Sequence, residues 1–126
     1  KGLEWDTVYL LGVTSAEYPS TVKDKFRSDL WYLHEDRCNP IALAKAELKL
    51  HLGGDQNANP VEKAKLEEIA ERLRLLYVAV TRARKNLLIT YHETGLFNKR
   101  VGPSLPLVAL GKYMAEEGKR YVTQQA

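Results

Sequence analysis

Thr7-Val8-Tyr9-Leu10-Leu11-Gly12 is a short apolar run rich in strand formers, with no polar alternation beyond its first residue. A run of this kind is expected of a strand covered on both faces, which points to a parallel sheet flanked by helices and so to an α/β fold. Val13 to Pro19 read as the loop leaving the strand's C-terminal end. Ligands gather at that end in open α/β sheets, so function is expected nearby. Leu87-Leu88-Ile89-Thr90-Tyr91 reads as a second buried strand.

Helix signals fill the stretch between the two strands. A short helix is expected from Ser20 to about Tyr32, opened by Ser20, with Val22, Phe26 and Leu30 on one face. Asn39-Pro40 gives a capping side chain followed by a ring suited to the first helical position, and Gly53 supplies a stop, so a helix is expected over roughly 40 to 52. Gly53-Gly54-Asp55-Gln56-Asn57-Ala58 reads as an exposed loop. Asn59-Pro60 repeats the start signal, with Glu62 three residues after the cap. Leu66, Ile69, Ala70, Leu73, Leu76, Tyr77 and Val80 recur every three to four residues, predicting a helix to about Arg84 with Glu68 and Arg72 paired on its wet side. A closing helix is expected from Ser104 to Glu117, capped by Ser104 and stopped by Gly118.

The chain has 126 residues, enough for one domain or part of one. Its strongest pattern begins at Lys1, as expected of a chain cut from something larger. Nineteen basic against sixteen acidic side chains give a formal charge of +3, which permits contact with a polyanion without demanding it. Cys38 is the one cysteine, and no Cys/His cluster has zinc spacing. A reducing, cytoplasmic setting and no structural metal are therefore expected. No apolar run reaches the roughly 18 residues that span a bilayer, so no membrane role is expected.

Two constellations carry the chemistry. Lys1-Gly2-Leu3-Glu4-Trp5-Asp6 lies just before the first strand, and Arg74-Leu75-Leu76-Tyr77-Val78-Ala79-Val80-Thr81-Arg82-Ala83-Arg84 closes the long helix before the second. Taken singly, the first is equally a turn with edge packing and a charged rim, and the second a core helix whose final cations complement the negative end of its dipole. Taken in order, each joined to an apolar strand, they resemble motifs V and VI of superfamily 1 DNA helicases of the UvrD/Rep/PcrA group. Lys-Gly-Leu-Glu followed by an aromatic and a polar residue matches motif V, and Leu-Leu-Tyr-Val-Ala-Val-Thr-Arg-Ala matches motif VI. Tyr18-Pro19 sits where the family often carries Phe-Pro. Two departures stand out: the family's Glu-Glu-Arg-Arg ahead of the motif VI tyrosine is here Glu71-Arg72-Leu73-Arg74, and the stretch 20 to 66 matches no motif. The Thr-x-His segment that precedes motif V in the family is not in this sequence.

The resemblance implies a partial RecA-like, P-loop NTPase-type three-layer domain with a mostly parallel sheet: the C-terminal portion of the second motor domain. Motif V falls at 1–12, a divergent helical insert at about 20–58, the motif VI helix at about 60–84, the final strand at about 87–91 and the C-terminal helix at about 104–117. It further implies ATP with Mg2+, the magnesium ligands coming from the first motor domain of the same parent chain, and single-stranded DNA or DNA junctions as partners in a DNA-repair setting. Arg82 matches the arginine finger and, with Glu4 and Gly2, the ATP contacts; Glu4 matches the carboxylate that bonds the ribose. Lys1 and Gly2 match the part of motif V close to DNA. No Gly-rich loop ending in Lys-Ser/Thr is present, so the fragment alone is expected to be inactive. A noncatalytic helicase-derived module binding DNA or protein is the alternative, and a nuclease-fused relative of the AddA/RecB kind shares both motifs, although the tail to Ala126 has no nuclease-like acidic cluster.

Other residues have bland and functional readings side by side. Trp31, Tyr32 and His34 form either local core or a base-stacking platform served by Lys23, Lys25 and Arg27. Arg74 fits a plain salt bridge on a charged face, His51 and His92 are isolated in sequence, and Cys38 has no activating base nearby. A partial parallel sheet exposes strand edges, which makes self-association of the isolated chain an expectation.

Overall fold

The computed structural model describes residues 2–24, 26–53, 58–95 and 100–124, in the last helix without the side chains of 118–124. In chain order the elements are β1 (Trp5–Leu10), a 3-10 turn (Trp31–Leu33), α1 (Pro40–His51), α2 (Pro60–Val80), β2 (Ala83–Ile89) and α3 (Leu105–Gln124). β1 and β2 are parallel neighbours, with Val8 opposite Leu87, Tyr9 opposite Leu88 and Leu10 opposite Ile89. A parallel pair needs a crossover, and α1 and α2 lie on it. The fold is α/β, consistent with part of a RecA-like domain.

Both crossover helices start where their Asn-Pro pairs stand. Asn39 Oδ1 accepts from the Ile41 N–H at 2.9 Å, and Asn59 Oδ1 from the Val61 N–H at 2.9 Å. Pro40 and Pro60 take first-turn positions that need no N–H. α1 stops at His51, and Gly53 beyond it has φ +98°, a left-handed conformation that a glycine adopts without strain. α1 packs on α2, burying Cys38, Leu43 and Ala64 with Ala42 and Val61 against them. Burial pushes the Cys38 thiol up, and Asp36 adds to the shift, so the sulfur sits as an inert core atom.

Several expectations fail for identifiable reasons. The described residues of Ser20–Tyr32 do not form the expected helix: Asp24 Oδ2 accepts the N–H groups of Ser20 at 2.6 Å and Thr21 at 2.9 Å, closing a turn that competes with helical bonds. Within that stretch the 3-10 turn at Trp31–Leu33 begins only at its end. α2 ends at Val80 rather than Arg84, and β2 begins at Ala83 rather than Leu87. The polar first half of β2 is held by cross-strand pairs that an apolarity scan does not register, Lys85 Nζ to Asp6 at 2.8 Å and Asn86 Nδ2 to Thr7 at 3.2 Å.

α3 runs through Gly118 to Gln124, because a helical glycine costs only about 1 kcal/mol relative to alanine and does not by itself end a helix. Ser104 precedes α3 and its carbonyl accepts from Val108, yet its buried hydroxyl has no partner among the described residues. A cap oxygen serves the second or third helical N–H, and here the second helical residue is Pro106. Coverage of both strand faces also fails. Val8, Leu10, Leu87 and Ile89 are half-buried, whereas Tyr9 is 65% and Leu88 44% exposed, so the pair is covered on one face.

Candidate functional site

The turn between α2 and β2 is only Thr81 and Arg82, and it delivers Arg82 beside the residues that lead into β1. Trp5 N–H donates to the Arg82 carbonyl at 2.9 Å, fixing the two strand entrances together. The Arg82 guanidinium then reaches three oxygens: Nε to the Val78 carbonyl at 3.2 Å, Nη1 to the Leu3 carbonyl at 3.4 Å, and Nη2 to the Thr81 hydroxyl at 3.4 Å. Thr81 is itself held, its hydroxyl donating to the Val78 carbonyl at 2.9 Å. None of these acceptors to Arg82 carries a full charge, and the distances are at or beyond the long end of the N–H···O range. The arrangement orients the guanidinium while leaving it able to exchange those bonds for stronger ones to an anion.

Gly2 has a steric role in this cluster. A Cβ there would fall inside contact distance of Arg82 Nη1 and 3.1 Å from Cζ, so any larger residue displaces the guanidinium. Glu4 is exposed and has neither a hydrogen bond nor an ion pair among the described residues, leaving both carboxylate oxygens available. The structure therefore brings Gly2, Leu3, Glu4 and Arg82 to one place. Lys1 lies outside the described residues. This place is at the N-terminal ends of β1 and β2, away from the Val13–Pro19 loop where the rule for open sheets put the expectation.

That loop is instead a structural junction. Arg72 on α2 donates from Nη1 to the carbonyls of Ala16 at 3.4 Å and Glu17 at 3.1 Å, and from Nη2 to the carbonyl of Arg27. Its guanidinium also lies 5.5 Å from the Phe26 ring centroid and pairs with Glu68 at 2.8 Å. The sequence places this pair on the wet side of the helix, but the two side chains are only 18% and 10% exposed. Arg72 thus clasps the loop after β1 and the segment before Trp31 to the same helix that ends beside Arg82. Periodicity alone missed this, since Arg72 and Glu68 face a covering segment that lacks regular structure. Arg74 pairs with Glu71 on an exposed face, the plain salt bridge its surroundings suggested.

The remaining candidates disperse. His34 Nδ1 accepts from the Asp36 N–H at 3.2 Å and serves its own turn, so it does not join the aromatic pair beside it. His51 and His92 are exposed. An apolar hollow of about 310 Å³ between α2, β2 and α3 is lined by residues such as Val13, Leu76, Ile89 and Leu107 and brings no charged group to its wall. Among the described residues no helix is long and apolar enough to cross a membrane.

Sequence comparison adds one match. The family model described as the UvrD-like helicase C-terminal domain covers residues 1–94 of the 126. A comparison with curated proteins finds no match. The matched stretch contains both strand entrances, all of α2 and the whole Arg82 cluster.

Proposed function

The chain belongs to the UvrD-like helicase C-terminal domain family, and from that premise we propose that it forms the closing part of the second motor domain of an ATP-dependent DNA helicase, with Arg82 as its arginine finger. The observation that carries the proposal is the meeting of Arg82 with Gly2 and Leu3 at the strand entrances. A residue that acts across a cleft on a nucleotide held by another domain has no need of the C-terminal sheet edge, and the N-terminal position of the cluster fits that use.

Transfer of the terminal phosphoryl group spreads charge over its oxygens, and a guanidinium aimed at them lowers the barrier when the two domains close. Arg82 exchanges its long bonds to Leu3 and Thr81 for charge-assisted bonds to phosphate oxygens, keeping Val78 as its anchor. Glu4 accepts from a ribose hydroxyl, and Gly2 with Lys1 admits the phosphate backbone of DNA. The acidic ligands for magnesium would come, in this proposal, from the first motor domain, and the ion would supply positive charge to offset the charge that builds on the phosphates. The isolated chain then hydrolyses no ATP.

The test is ATP hydrolysis by the full-length protein with and without single-stranded DNA. Stimulation by DNA is the expected result. No hydrolysis under either condition would overturn the motor reading in favour of a noncatalytic module binding DNA or protein.

A further inference from the structure

The segment between β1 and α1 places an unassigned cluster on the surface. The Trp31 ring has the Arg27 guanidinium 5.3 Å from its centroid and that of Arg37 5.9 Å away. Tyr32 meets the same ring edge-on, with centroids 6.2 Å apart, and is itself 67% exposed. Asp24 is committed to the N–H groups of Ser20 and Thr21, and the Asp36 N–H donates to His34 Nδ1. Among the described residues neither Arg27 nor Arg37 pairs with a carboxylate, although acidic side chains are close by in sequence. Two guanidiniums held by one indole and left without an anion, beside a tyrosine with an open face, match the needs of a nucleotide strand: charge for phosphates and a flat ring for a base.

We propose that Arg27, Trp31, Tyr32 and Arg37 form a second binding site for single-stranded nucleic acid, apart from the strand-entrance cluster. Tyr32 offers the stacking face, because the guanidiniums lie against Trp31. Trp31 is the positioning residue that keeps both guanidiniums in place. The site is fastened to α2 through the Arg27 carbonyl and the Phe26 ring, both held by Arg72, so a strand bound there pulls on the helix that ends beside Arg82. The inference rests on the motor reading for its ligand, and the experiment separates the two.

Fluorescence anisotropy of a labelled oligothymidylate on the full-length protein, across a salt series, gives affinity and salt slope together. Tyr32→Ala is expected to weaken binding about tenfold, the loss of one base stack. Arg27→Gln with Arg37→Gln is expected to lower the slope of log K against log salt by about 1.4, two phosphate contacts on a single strand. The Arg27 carbonyl stays in place in that variant, so the clasp to α2 is kept, and an unchanged melting temperature excludes simple misfolding. Arg27→Lys with Arg37→Lys is expected to retain most of the slope, which a purely structural cluster would not require. Wild-type binding with all variants equal to it in affinity and slope overturns the site and leaves the motor reading intact. No binding by the wild type overturns both.

Discussion

At the scale of single residues, Arg82 is held lightly. Its acceptors are two backbone carbonyls and a hydroxyl at 3.2 to 3.4 Å, so little is lost when it swings to a phosphate. A lysine at 82 keeps the charge and loses the planar fork, and Arg82→Lys in the full-length protein is expected to lower DNA-stimulated turnover at least tenfold with ATP affinity near that of wild type. Turnover equal to wild type would show that only the charge matters. Arg72 illustrates the opposite case, a sheltered guanidinium engaged through both of its terminal nitrogens. Arg72→Ala leaves Glu68 sheltered without its partner and frees three carbonyls, and a loss of about 2–3 kcal/mol is expected as a lower urea midpoint. A change under about 0.5 kcal/mol would mean that the clasp is ornamental, as exposed ion pairs often are.

At the scale of elements, Asn39 and Asn59 could be identified as caps because a cap acts within its own turn, and Asn59→Ala is expected to cost about 1 kcal/mol in thermal or urea unfolding. The α/β character and the two strands were likewise legible, since runs such as Val8–Leu10 and Leu87–Ile89 announce themselves by apolarity. What was not legible depends on partners distant in sequence. The first half of β2 is polar and is drawn into the sheet by Asp6 and Thr7, some eighty positions earlier in the chain. The 20–32 stretch has the spacing of a helix, but Asp24 takes the N–H groups of Ser20 and Thr21 instead. Those two bonds hold the Asp24 carboxyl below the usual carboxylate range. A carboxyl with a lowered folded pKa stabilises the fold above its unfolded value of about 3.9 and loses that contribution as pH falls through the folded value. Asp24→Asn is therefore expected to flatten the acid limb of the stability profile, and an acid limb identical to wild type would remove the turn from the account. Of the candidate site, motif order gave Arg82, Gly2 and Glu4, whereas Thr81's hold on the guanidinium and Arg37's place on Trp31 are products of folding with no periodic signature.

At the scale of the whole molecule, the two strands are covered on one face and each has an edge with no strand beside it among the described residues. Tyr9, Leu11 and Leu88 stand exposed on or beside that sheet. Unpaired edges and apolar faces associate, so the isolated chain is expected to show a weight-average mass that rises with concentration in light scattering. A constant monomer mass at all concentrations would show that the exposed face is tolerated alone. In the proposed motor the same openness has a use, because the second domain works by closing on a nucleotide and a strand held with the first. The central claim is that Arg82 completes this closed state, and the measurement that meets it most directly is single-strand-stimulated ATP hydrolysis by the full-length protein carrying Arg82→Ala, with nucleotide and DNA binding measured in parallel. A fall in turnover of about a thousandfold with both ligands still bound is the expected result. Unchanged turnover would contradict it and leave Arg82 as no more than a cation at the end of a helix.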